Sequence, residues 1–200
     1  ADSDFYDVPE EEFLSKDKAK DLLKNTNLKR MSTAEEYDPV KFKFKENTTH
    51  YSIADSFGNI VSTTTTLNTA FGSGIVIKDT GLLMNNEMDD FSASPNQPNY
   101  FGLLGTYANR IEPQKRPLSS MAPLIIFDKN DNFFMTIGSP GGKAIISYVV
   151  RVLYDVLYLN SNLTKSVSNP NYISINNKIF LENLNQTELI SKNAKIRKLT

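Results

Sequence analysis

The chain has no cysteine. This excludes disulfides, a thiol nucleophile and any zinc site built on cysteine. Histidine is nearly absent too. His50 stands alone, which excludes His-cluster metal sites and any conventional catalytic triad that avoids this residue. An excess of one charge is also missing. The 22 Lys and Arg against 23 Asp and Glu give a formal net charge of -1 over 200 residues, with no basic stripe, so a nucleic-acid partner is not expected. No apolar run reaches about 18 residues, the length a membrane-crossing helix needs. The opening Ala1-Asp2-Ser3-Asp4 is neither a Met start nor a signal peptide. The chain therefore reads as a mature or excised piece, with any export signal outside it.

Along the chain, residues 9–25 predict a surface helix. Pro9 and three glutamates stand at its start and lysines gather toward its end, as the helix dipole favours. Residues 26–47 are polar and irregular and read as a linker. The pattern then turns to β. Tyr51–Asp55 and Ile60–Thr66 predict a hairpin turned at Ser56-Phe57-Gly58-Asn59. Gly74–Ile77 and Gly81–Met84 predict short strands, and Pro123–Phe127 with Phe133–Ile137 a second hairpin. Lys143–Leu159 is apolar nearly all round, which predicts a helix buried between layers. A small hairpin, 173–175 with 178–181, a short helix near 187–193 and a further strand at 195–199 complete the expectation. Hairpins with a buried helix against them suggest a layered α+β sandwich.

Four clusters carry chemistry. Thr48 opens a β-branched strand after the exposed, charge-rich approach Lys41–Asn47. A hydroxyl there can attack the carbonyl of Asn47. Once the chain is cut, Thr48 becomes an N-terminal residue whose own α-amine, with a pKa of about 7.7–8.0, can act as its base. The alternative is a Thr-rich strand. In Thr66-Leu67-Asn68-Thr69 the alternation puts Thr66 and Asn68 on one face at a strand end, able to bond a ligand or a nucleophile, or simply leaving the sheet. Asn85–Phe91 is an acidic loop suited to an ammonium group or to calcium, although it lacks the ligand spacing and the Gly of an EF-hand loop. The fourth cluster pairs Arg116–Met121 with Gly138–Gly142. Small residues before a helix expose N–H groups that suit an oxyanion or a carboxylate.

Together and in this order, the motifs TTHYS, TLNTAFGSGI, LLMNNEMDDFS, RPLSSMAP and GSPGG resemble the γ-glutamyltranspeptidase family. The match runs from Thr48 to about Leu159, while residues 160–200 match loosely. The segment from Asp4-Phe5 through Asn47 looks like the end of that family's large chain. The resemblance thus divides the chain into 1–47, a large-chain end, and 48–200, a small catalytic chain beginning at the nucleophile. It implies an Ntn-hydrolase fold, a four-layer αββα sandwich that is incomplete without the rest of the large chain. It also implies autocleavage between Asn47 and Thr48.

Thr48 would then attack the γ-glutamyl amide of glutathione or a related compound, and the ester would pass to water or to an amino acid or dipeptide acceptor. Carried over by position, Thr66 would activate Thr48. Asn68, Glu87 and Asp90 would hold the α-ammonium, and Ser119 and Ser120 the α-carboxylate. Gly141 and Gly142 would form the oxyanion hole. Ser94–Leu104 matches a lid loop, with Phe101 after Tyr100 where lids often carry Tyr. No cofactor or metal is implied. The family's substrate-gripping Arg lies on the large chain, outside these residues, and the family's chain extends past Thr200. The piece alone is therefore expected to show little or no transpeptidase activity. Family habit places the protein in the periplasm or outside the cell.

Two other functions fit some of these residues. One is a different self-processing amidase of the β-lactam acylase type, against which the acidic loop and the serine pair argue. The other is a catalytically silent binding module. The Asn-x-Thr triplets at Asn47, Asn162 and Asn185 read as chance in an Asn-rich chain.

Overall fold

The computed structural model describes residues 2–25, 48–94, 96–100, 102–175, 178–181 and 195–198. The single helix expected over 9–25 is two: α1, Glu10–Leu14, and α2, Lys16–Asn25. Ser15 causes the break. Its backbone is extended, and its Oγ accepts the Lys18 N–H at 3.0 Å, so it acts as an N-cap for α2. Lys18 reaches back across the break to pair with Glu12. The linker expected over 26–47 lies outside the described residues, as do the helix near 187–193 and the Asn176-Asn177 turn.

Both main hairpins form. Strands β1, Thr49–Ala54, and β2, Ile60–Thr65, pair antiparallel with Thr49 opposite Thr65. Asp55, expected in the strand, instead builds the turn. Its Oδ1 accepts from Phe57 N and Asn59 N, each at 2.9 Å. Strands β3, Leu124–Phe127, and β4, Phe133–Ile137, repeat this design, with Asp128 Oδ1 accepting from Asn130 N and Asn132 N. In both turns hydrogen bonds to the carboxylate, from Asn59 and from Asn132, hold the aspartate pKa below its ordinary value. The two strands expected at 74–77 and 81–84 reduce to one bridge, Val76 opposite Leu83, flanked by Ile77 N–H to Leu82 O and Met84 N–H to Ile75 O.

The central helix starts with a 3-10 turn, Gly142–Ala144. It continues as α3, Ile145–Leu153, and closes in a π-helical turn, Tyr154–Tyr158. The expected burial on all sides is not observed. Ile145, Val149 and Val152 form one buried stripe at helical spacing, whereas Ile146, Val150 and Leu157 are at least half exposed. Among the described residues, neighbours cover only that stripe. Arg151 ties the helix to α4, Leu163–Ser168: it donates to the Ser166 carbonyl at 2.9 Å, to Asn171 Oδ1 at 3.0 Å and to Asp155 at 3.2 Å. Asn162 caps α4 by accepting from Lys165 N. Strands β5, Tyr172–Ile175, and β6, Lys178–Leu181, pair antiparallel as expected. Strand β7, Lys195–Lys198, adds in parallel to β6. The architecture is mixed α and β.

Candidate active site

The antiparallel register sets Thr48 across from Thr66, one step beyond the last paired residues. Thr48 Oγ1 donates to Thr66 Oγ1 at 3.2 Å, and Thr66 Oγ1 also accepts the Asn68 N–H at 3.0 Å. The second bond fixes the Thr66 hydroxyl. It requires the chain to leave the strand sharply, and Asn68 does so with a left-handed backbone, φ 73°. Asn68 is buried, and its side-chain amide donates to the Asn86 carbonyl at 3.1 Å. Thr69 bonds the Asn86 side chain. The strand exit is thus sewn to the start of the acidic loop, which brings two segments distant in sequence to one place.

That loop is a 3-10 turn, Glu87–Asp90, with Glu87 and Asp90 on one side of it. Burial pushes the Glu87 carboxyl up to about 7, and the charge of Asp90 beside it adds to the shift. Burial also raises Asp90, while the hydrogen bond with Glu87 partly opposes this. Glu87 Oε1 is buried with no hydrogen-bond partner among the described residues. A buried carboxylate oxygen left without a hydrogen bond next to a second acid is costly unless a proton or a cation neutralises it.

One cavity of about 200 Å³ collects these groups. Thr48, Thr66, Asn68, Glu87, Asp90, Ser119, Ser120 and Gly142 all line it, so eight of the expected site residues converge. Gly141 stands one residue behind the wall. It opens the helical turn with φ 130°, and Gly142 follows at φ 48°. Among the described residues neither N–H has a hydrogen-bond partner, as is usual for the first N–H groups of a helical turn. Asn47 and Phe101 lie outside the described residues. The described part of 94–104 lines one side of the cavity through Gln97, Pro98, Asn99 and Leu104. It is closed by the Pro98–Leu104 bridge and tethered by the Tyr100 N–H to Asp89 Oδ2 at 2.9 Å.

His50 lies two residues from Thr48 on the same strand face but does not line the cavity. Its Nδ1 meets Thr64 Oγ1 at 2.9 Å and its Nε2 meets Ser52 Oγ at 3.1 Å, and burial lowers its pKa. Its ring fills the space where a Cβ on Gly138 would stand, 2.1 Å from Nδ1. The only histidine is therefore structural, and no histidine base faces Thr48. Among the described residues, no group of three or more acidic or histidine side chains is placed to hold a metal ion.

Two supports escaped the sequence reading. Asp2 is buried against the segment that carries the serines. It accepts from the Arg116 backbone N–H at 2.8 Å, from Nε at 3.0 Å and from Nη2 at 2.5 Å, and these bonds hold its carboxyl well below the usual carboxylate range. Asp4 pairs with the same guanidinium. Asn109 is buried between the acidic loop and the serine segment and bonds both. No local pattern announces either residue.

The chain is similar to known proteins over most of its length. The family model described as gamma-glutamyltranspeptidase matches residues 1–195. The glutathione hydrolase proenzyme of Escherichia coli is 40% identical over 173 residues, covering 86% of this chain and 30% of that protein. The one from Pseudomonas aeruginosa is 48% identical over 121 residues, covering 60% and 22%. Among solved structures, a variant of Helicobacter pylori γ-glutamyltranspeptidase is similar with a TM-score of 0.65 and 41% identity, covering 75% of this chain and 84% of that one. The Pseudomonas nitroreducens enzyme complexed with L-DON gives 0.67 and 38%, covering 75% and 82%. The chain spans 22–30% of the length of the curated relatives first matched.

Proposed function

Since this chain belongs to the γ-glutamyltranspeptidase family, we propose that it is the catalytic part of a self-activating enzyme that hydrolyses and transfers γ-glutamyl groups. The observation that carries this reading is the convergence of a threonine pair, two carboxylates, two serines and a glycine turn on one cavity of about 200 Å³. The substrate class follows from the walls. The acidic turn suits an ammonium and the serine pair suits a carboxylate, and the α-carbon of a γ-glutamyl donor presents both. Glutathione and related amides are the proposed donors, with water, amino acids or dipeptides as acceptors. An apolar acyl chain would leave Glu87 and Asp90 without a cation.

The chemistry runs in two stages. In the precursor, Thr48 Oγ1 attacks the Asn47 carbonyl, and the peptide C–N bond breaks as the acyl group moves from nitrogen to oxygen. Water then hydrolyses that ester. Until this happens the Thr48 nitrogen is an amide and cannot accept a proton. Afterwards it is an amine with a pKa of about 7.7–8.0, matched to work near neutral pH. Thr48 Oγ1 next attacks the γ-carbonyl of the donor, its proton passing to that amine and on to the departing amino group. Thr66 orients the attacking oxygen through its bond to Thr48. The N–H groups at Gly141 and Gly142 stabilise the oxyanion, and one such donor lowers a barrier by roughly 3–4 kcal/mol. The γ-glutamyl ester on Thr48 then transfers to the acceptor.

In this reading residues 1–47 are the end of a large chain and 48–200 a small chain. The two together, with the remaining large chain, complete a four-layer αββα sandwich whose further layer covers Ile146, Val150 and Leu157. That large chain is also proposed to supply an arginine for the substrate carboxylate. The compartment proposed is the periplasm or the cell exterior. The test is an intact-mass time course of the complete precursor beside its Thr48→Ala variant. Fragments ending at Asn47 and beginning at Thr48, absent from the variant, are expected. A folded wild-type protein that stays uncut would reverse the reading toward a silent binding module.

A further inference from the structure

The two walls of the cavity belong to segments well apart in the chain, Glu87–Asp90 and Leu118–Ser120. A buried side chain joins them. Asn109 Nδ2 donates to the backbone carbonyl of Asp90 at 2.8 Å, and Asn109 Oδ1 accepts the backbone N–H of Leu118 at 2.9 Å. These two partners also settle which end of the amide is oxygen, since a flipped amide would face N–H to N–H and O to O. Asn109 is itself held at several points. Its carbonyl accepts from Ser92 N at 2.8 Å, and its N–H bonds Thr106 O at 3.1 Å. Ser92 Oγ in turn accepts from Thr106 N at 2.9 Å. The chain comes so close there that a Cβ on Gly105 would stand 2.6 Å from Ser92 Cβ. The 3-10 turn Tyr107–Asn109 is therefore a fixed post between the walls.

We propose that Asn109 is a positioning residue that sets the separation between the ammonium-binding turn and the carboxylate-binding serines, and so makes the site selective for a donor carrying both groups on one carbon. This rests on the head-group reading given above. An α-amino acid head group holds its two charges at a fixed distance, so it gains from both walls only if they are held at a matching distance. The task needs a donor and an acceptor on one short planar group. Asp lacks the donor, Ala lacks both, and Gln places the amide one carbon too far. Asn109 does not act on the reacting atoms, so its loss should show in KM.

The test uses the complete processed enzyme and three anilide donors. One is γ-glutamyl. One is 4-aminobutanoyl, which lacks the α-carboxylate, and one is glutaryl, which lacks the α-amine. Where turnover of a one-ended donor is too slow, it is used as a competitive inhibitor. Asn109→Ala is expected to raise the γ-glutamyl KM about 10- to 100-fold, since two buried backbone groups lose partners, with kcat changed less than about threefold. The one-ended donors, which do not sense the separation, should change by less than about threefold. An unchanged γ-glutamyl KM, or an equal loss for all three donors, overturns the proposal. Asn109→Asp keeps the shape and the acceptor toward Leu118 while removing the donor toward Asp90. It covers the case in which the alanine variant does not fold, and it should raise the γ-glutamyl KM about 10-fold at constant kcat. An unchanged KM in that variant also overturns the proposal. A wild-type enzyme showing no preference for γ-glutamyl over the one-ended donors removes the head-group reading itself, and this inference with it.

Discussion

The two walls of the cavity are built on opposite electrostatic terms. The acidic turn is buried without a cation: burial pushes Glu87 and Asp90 both up, and Glu87 Oε1 has no hydrogen-bond partner among the described residues. The serine wall is already neutralised. Its nearby cation, Arg116, is bound to Asp2 and Asp4, which leaves the uncharged Ser119 and Ser120 lining the cavity. One wall waits for a cation and the other offers neutral hydrogen bonds. The difference teaches that, under the proposed function, the ammonium end of a donor would be recognised by charge contributed from these residues, whereas the carboxylate end would rely on geometry here. It leaves room for the cation proposed to come from the large chain.

The largest effect is expected at the charged wall. Asp90→Asn should lower kcat/KM for a γ-glutamyl anilide by about 100-fold or more, because it strips a desolvated charge from an ammonium partner. The same wall predicts a pH dependence. Below about pH 7 the Glu87–Asp90 pair retains a proton, and above it the pair gains charge. KM should therefore fall as pH rises from about 6 to 8, and Glu87→Gln should flatten that slope. Steady-state kinetics across this range separate it from the α-amine of Thr48, which governs kcat. A KM that rises with pH in the wild type would break the comparison.

A smaller effect is expected at the neutral wall. Ser119→Ala and Ser120→Ala should each raise KM about 5- to 20-fold, the range of a single uncharged hydrogen bond to a charged ligand, with little change in its pH dependence. The smallest effect is at the strut behind that wall. Asp2→Asn should shift the serine segment and raise KM by about threefold. Asp2 has a folded-state pKa depressed below its unfolded value, so its stabilisation is present above the ordinary carboxylate range and fades as pH falls through it. The difference in Tm between wild type and Asp2→Asn should accordingly be largest near pH 7 and shrink below about pH 4, as differential scanning calorimetry can measure.

The sequence and the structure agree where the signal is local. Alternation placed Thr48 and Thr66 at the ends of the first hairpin, where they lie one step beyond the last pair, and the change from apolar strand to acidic loop marked Glu87 and Asp90. The Ser-Pro-Gly-Gly run marked a helix start, which Gly142 brings to the cavity. The helix read over 9–25 as one element is broken at Ser15, a break that the apolar pattern of the stretch does not show. What was not legible depends on distance in the chain. Asp2 acts on Arg116 across 114 positions and Asn109 joins segments on either side of it, so neither leaves a periodic or compositional trace. Full burial of residues 143–159 was inferred from composition, but composition says how much of a helix can be buried and not what is present to cover it.

The central claim is that Thr48 carries the acyl group. The most direct measurement is an acid-quenched reaction of the complete processed enzyme with a γ-glutamyl donor, followed by peptide mass mapping. The account predicts that the peptide beginning at Thr48 gains the mass of one γ-glutamyl group, and that the gain disappears when an amino acid acceptor is added before the quench. Continued turnover with the label on another residue, or with no label on the Thr48 peptide at any quench time, would contradict it.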